Sequence, residues 1–154
     1  MDTILFHRIL KNTKLRLKEK YGWDDEFVDG AVDEYYRFMM LTKKYPKDTL
    51  VPGKVIDEVW HDHILHTQEY IKFCDEYFGH YVHHTPKDRS SNDVMKFDET
   101  ESKYVETFGR KPPKKYWYEA VNHITPVINH TTPATHPVSS TNSSTTFSCC
   151  RCGN

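Results

Sequence analysis

The sequence predicts an all-α fold: a compact single domain of four to five helices over residues 2–124, then a flexible tail over 125–154. Three observations carry this. Apolar residues recur at three- and four-residue steps through most of residues 2–124, the period of helices with one buried face. No Asn-Gly or Asp-Gly pair stands between alternating apolar runs, so hairpin signals are missing. Arg151 is the single charged residue between 125 and 154, where Ser, Thr and Pro dominate. Such a segment buries too little apolar surface to offset the ~1–2 kcal/mol per residue lost on ordering a backbone.

The elements follow in order. Asp2 or Thr3 caps a first helix that carries Phe6, Leu10 and Leu17 on one side and stops near Gly22. Asp24 caps a second, in which Phe27, Val28, Ala31, Val32, Tyr35, Phe38 and Met39 form the apolar stripe. Pro46 disfavours helix at Tyr45 and ends it. A third helix is expected from about Lys54 to Phe78, and a fourth from Asp93 to Phe108. In the fourth, Val94, Phe97, Tyr104, Val105 and Phe108 face inward and Gly109 follows the last turn. After Pro112-Pro113, the residues Tyr116, Trp117, Ala120, Val121 and Ile124 suggest a short last helix.

Composition excludes several function classes. The 154 residues carry 21 Lys+Arg against 22 Asp+Glu, a net charge of -1, which argues against general nucleic-acid binding. The basic loop Arg110-Lys111-Pro112-Pro113-Lys114-Lys115 therefore reads as a solvated linker, and the aromatics Trp23, Tyr35, Trp60 and Tyr70 as core. No apolar run is long enough for a transmembrane span. Asp2, His7 and Arg8 interrupt the first ten residues, which does not suit a secretory signal, so an intracellular, soluble protein is expected. Neither a phosphate-binding Gly-rich loop nor a Ser nucleophile elbow is present, and no nucleotide cofactor is indicated.

The third helix carries the chemistry. At about 100° per residue, Ile56, Val59, Trp60, His63, Ile64, Thr67, Tyr70, Ile71, Cys74, Tyr77 and Phe78 share one broad face. His63 lies near its middle, and His66 about 60° away at its edge. His61 is about 160° from His63, on the side of Asp57 and Leu65, where Asp57 can accept its proton. A buried imidazole needs a hydrogen-bond partner or a metal, since an unsatisfied polar group costs ~1–3 kcal/mol. Six of the ten histidines fall between His61 and His84. A loop folding back after Gly79 would bring His83 or His84 to His63 and His66. The candidate metal ligands on this reading are His63 and His66 with His83 or His84, for zinc or another divalent transition metal. Asp62, Glu58 and Glu69 are candidate ligands or supports for them. The plainer reading makes His63 a core histidine bonded to a tyrosine or a carbonyl. The spacing matches neither the His-Glu-x-x-His pattern nor a zinc finger, and no reaction or catalytic residue is assigned.

These residues resemble a known family. The run from Ile56 to Tyr70 is similar to the signature helix of the glycine-rich domain-containing protein-like family, Val/Ile-Asp-x-x-Trp-His-x-His-x-Leu-x-Thr-x-x-Tyr. Phe73-Cys74, then Gly79, Tyr81 and His83-His84-Thr85-Pro86, and the later Tyr104 to Gly109 stretch extend the resemblance over about residues 30–120. It implies a helical domain with motif positions Trp60, His61, His63, Thr67, Tyr70, His83 and His84, and no chemistry. By sharing the motif with His63, His61 joins His63, His66, His83 and His84 as a candidate metal ligand despite its angle on the helix. Many relatives carry a Gly-rich, Cys-rich tail, whereas here the tail is Ser/Thr-rich and ends Cys149-Cys150-Arg151-Cys152.

Cys74 falls on the apolar face and reads as a small buried hydrophobe, while the tail cysteines are available for metal binding, oxidation or S-acylation. Two functions fit the sequence. One is a small helical protein that binds a divalent metal through a histidine cluster. The other is a non-catalytic protein-interaction module whose Cys-containing tail serves as adaptor or anchor to an unknown protein partner.

Overall fold

In the computed structural model, residues 2–85 and 91–118 are described. They form α1 (Thr3–Ile9), α2 (Lys11–Tyr21), α3 (Asp25–Lys44), α4 (Lys54–Leu65), α5 (Thr67–Tyr77), α6 (Ser91–Phe108) and α7 (Lys114–Trp117), with no strand among the described residues. The all-α expectation holds. The tail over 125–154, and Ala120, Val121 and Ile124 of the expected last helix, lie outside the described residues. No helix of the described residues is long and apolar enough to cross a membrane.

Five expected helices become seven because two of them break. Asp2 caps α1 by accepting from the Leu5 N–H at 2.7 Å. At Leu10, ψ rotates to 18°, yet its N–H still reaches Phe6 and the Lys14 N–H still reaches Leu10. The break is a bend, and Phe6, Leu10 and Leu17 are all buried as expected. α3 runs through the centre and packs against α1, α2, α4, α6 and α7. Asp24 caps it through the Phe27 N–H at 2.7 Å, and it ends at Tyr45, before Pro46. Its stripe from Phe27 to Leu41 is the core of the molecule, joined by Trp23, Val55, Ile56, Val59, Trp60, Tyr70, Phe73 and Trp117.

The second break corrects the expectation of one helix from Lys54 to Phe78. His66 adopts ψ 63°, and its N–H turns back to the His63 carbonyl instead of reaching Asp62. The freed Asp62 carbonyl is taken by the His66 ring, whose Nδ1 lies 2.9 Å away. A side chain thus replaces a backbone donor, and α5 starts with a new rotation. Beyond His66 the angles counted from Trp60 hold for Tyr70 and Cys74, which are buried, and for Tyr77 and Phe78, which pack on the core. They fail at Ile71, which is 48% exposed, and at Thr67, which is exposed too. Val105 is a similar correction. Tyr104 is the buried residue of that turn of α6, and its neighbour turns outward.

α7 closes the core over α3 and α4. A Cβ on Gly53 would lie 2.5 Å from the Trp117 Cα, so only glycine allows this approach. Below it, Glu34 is buried in the core stripe and gathers four donors. They are Tyr104 Oη and Trp117 Nε1, each at 2.9 Å, Arg37 at 2.6 Å and Arg110 at 3.3 Å. One carboxylate joins α3, α6 and α7.

Candidate metal centre

α4 and α5 meet at an angle, and the chain after α5 folds back across them. Gly79, with φ 77°, turns the chain out of α5 in the left-handed region that glycine favours. A short relay then fixes the returning segment. Trp60 Nε1 donates to Tyr70 Oη at 3.0 Å, and Tyr70 Oη donates to the Val82 carbonyl at 2.6 Å. The Cys74 thiol lies against the Val82 backbone and Tyr70, and burial raises its pKa. Two residues on, His84 rests on the Trp60 ring with centroids 4.1 Å apart.

This return brings His84 to His61. Their Nε2 atoms are 2.7 Å apart. Asp57, one turn before His61, places Oδ1 3.3 Å from His84 Nε2 and Oδ2 3.8 Å from His61 Nε2. Ligand atoms of Asp57, His61 and His84 all lie within 4.8 Å of one another. His61 and Asp57 are partly exposed, and an open groove lined by His61, Ile64, Leu65 and His84 adjoins them. Burial, followed by the charge of His61, lowers the His84 pKa to about 4, so its ring is neutral at neutral pH. Burial raises the Asp57 pKa against the pull of His61.

The other histidines stand elsewhere. His63 is fully buried inside α4, as its position on the face predicts. Its Nδ1 pairs with Tyr35 Oη at 3.1 Å, the core-histidine arrangement, while Nε2 has no hydrogen-bond partner among the described residues. Tyr70 and Phe73 enclose the ring, with centroids 5.0 and 5.4 Å away. Burial lowers its pKa to about 3. His66 belongs to the helix break and contacts Thr13 Oγ1 at 3.3 Å. His83 is exposed and packs on Tyr81. The structure thus brings together two of the five expected ligands, His61 and His84, and not His63, His66 or His83.

The three named carboxylates also turn elsewhere. Asp62 is buried and accepts from Arg16 Nε at 2.6 Å, Glu58 binds Tyr21 and Lys20, and Glu69 accepts from Asn12. Asp57, which enters the group instead, was legible only as a proton acceptor for His61. Its four-residue spacing from His61 was the available signal. The role of Glu34 had a signal too: it falls among the apolar positions of α3, three residues after Ala31 and four before Phe38.

Comparisons with known proteins agree with the motif. A family profile described as UCP032817-like matches residues 2–106. Glycine-rich domain-containing protein 2 of Arabidopsis thaliana is 32% identical over 102 residues, which is 61% of this chain and 12% of that protein. The chain therefore matches only a small part of that relative's length. No solved structure matches.

Proposed function

We propose that this chain, which belongs to the UCP032817-like family, binds a divalent transition metal, zinc first among them, through Asp57, His61 and His84. The observation that supports this reading is the convergence of three ligand atoms within 4.8 Å. The Nε2 atoms of His61 and His84 face each other at 2.7 Å, where one has to donate to the other, with a carboxylate beside them. A cation satisfies all three at once. Zinc–nitrogen bonds of ~2.0–2.1 Å in a tetrahedron need ligand separations of about 3.4 Å. The 3.3 and 3.8 Å carboxylate distances bracket that value, and the 2.7 Å between the two Nε2 atoms has to open by about 0.7 Å, which the partly exposed His61 ring can give. The Trp60–Tyr70–Val82 relay is the support that holds His84 in place.

The test is elemental analysis of the full chain with Cys149, Cys150 and Cys152 replaced by Ser, so that tail thiols bind nothing. Close to one equivalent of metal is expected after loading with zinc, and Asp57→Asn, His61→Ala and His84→Ala should each lose it. Metal that stays bound in His84→Ala would overturn the assignment, as would none after loading with zinc, copper, nickel and iron.

A further inference from the structure

The side of the centre that faces the groove has a composition of its own. Three protein ligands grouped on one face leave one open position at a tetrahedral ion and three at an octahedral one. Charge is also set there. Two neutral imidazoles and one carboxylate leave a dication with one positive charge unbalanced. Glu58, beside Asp57, is held by Lys20 and Tyr21 and does not supply the second negative charge. The groove wall between His61 and His84 is Ile64 and Leu65, and Leu65 is 63% exposed. An anion is thus called for at the ion, and apolar surface lies next to it.

We infer that the centre takes a small carboxylate, whose oxygen binds the ion while a short apolar arm lies along Ile64 and Leu65. This rests on the metal reading above. Hydroxide or phosphate would meet the charge but leave the apolar wall in water. A long chain would run past the two wall residues into solvent, so the gain per added carbon should stop after the first few.

Cobalt(II) serves as the probe, because its visible absorption reports both its own binding and a change of ligand. The full chain with the three tail cysteines replaced by Ser is loaded with cobalt and titrated with acetate, propionate, butyrate and hexanoate. Affinity should tighten by up to about fourfold per methylene from acetate to butyrate, as burial of each group predicts, and then level off. Leu65→Ser should flatten that series, so that butyrate binds no more tightly than acetate. A cobalt spectrum that answers acetate and butyrate equally would overturn this inference and leave the metal reading standing. A series that survives Leu65→Ser would also overturn it. Absence of any protein-bound cobalt spectrum would remove both.

Discussion

Two carboxylates on neighbouring helices are treated in opposite ways. Glu34 of α3 is buried and receives four donors, from Tyr104, Trp117, Arg37 and Arg110. Asp57 of α4 is about one-third exposed, and its neighbours are two imidazole nitrogens that already compete for one proton. A buried acid with its lone pairs filled holds helices together and has no need of anything further. An acid set among other acceptors at a groove has ligand capacity to spare. The same residue chemistry thus separates a fold node from a candidate binding site, by the balance of donors and acceptors around it.

The largest expected effect comes from breaking the filled side of this comparison. Glu34→Ala strands the Tyr104 hydroxyl and the Trp117 N–H in the core and leaves two arginines without their acid. Each buried orphan costs ~1–3 kcal/mol, and the arginines add less because both reach solvent. A loss of about 3 kcal/mol in urea unfolding is expected. A loss under about 1 kcal/mol would mean that the node is not what ties α6 and α7 to α3.

Acid should act next, and through His63 more than through the candidate centre. Burial holds His63 at about 3 and His84 at about 4 in the folded chain, below the ~6.5 of an unfolded histidine. Between those values the unfolded chain binds more protons, so their stability contribution is complete above about pH 6.5 and declines as pH falls. At pH 5 the His63 part alone amounts to a loss of about 2 kcal/mol. Urea midpoints measured from pH 7 to pH 5 should therefore fall, and His63→Gln should flatten that slope whatever its effect at pH 7. An unchanged slope would show that His63 does not carry the acid sensitivity. Proton competition for His84 should weaken metal binding only as the pH approaches about 4.

The way each region could be read from sequence differs for the same reason. Helix caps and core stripes are local and periodic, so a cap at Asp2 or Thr3, the Asp24 cap and the Phe27–Met39 face were legible. His63 was legible as a buried ring, because its angle on α4 is fixed within two turns, but spacing does not choose among a tyrosine, a carbonyl and a metal to meet it, and the structure supplies Tyr35. The break at His66 was not legible. It depends on a side chain outbidding a backbone N–H for the Asp62 carbonyl, which leaves no mark in apolar spacing. A fold-back after Gly79 was expected, but toward His63 and His66; that it carries His84 to His61 instead is set by tertiary packing. Helical angles had placed His61 and Asp57 on the side away from the core, and that alone pointed toward the groove.

The support of His84 offers a test that sharpens the comparison without touching a ligand. Tyr70→Phe keeps the ring in the core but removes both the acceptor for Trp60 Nε1 and the donor to Val82. Loss of these bonds should cost about 1–2 kcal/mol of stability. If His84 depends on the relay, zinc affinity should drop by roughly tenfold, in line with other supports of metal ligands. Zinc affinity equal to that of the parent chain would mean that stacking on Trp60 alone positions His84.

The smallest expected effect bears most directly on the open side. Without metal, Asp57→Asn and His61→Ala should change stability by no more than about 0.5 kcal/mol, because both side chains reach solvent and neither fills a core donor. Relief of the crowded lone pairs works against the small packing loss, so the sign could fall either way. With zinc at a hundred times its dissociation constant, the parent chain should gain about 2.7 kcal/mol and the variants nothing. That pattern, neutral without the ion and decisive with it, is what a ligand side chain produces and a structural one cannot. Should Asp57→Asn cost several kcal/mol in metal-free protein, Asp57 would join Glu34 as a fold node, and the contrast between the two carboxylates would collapse.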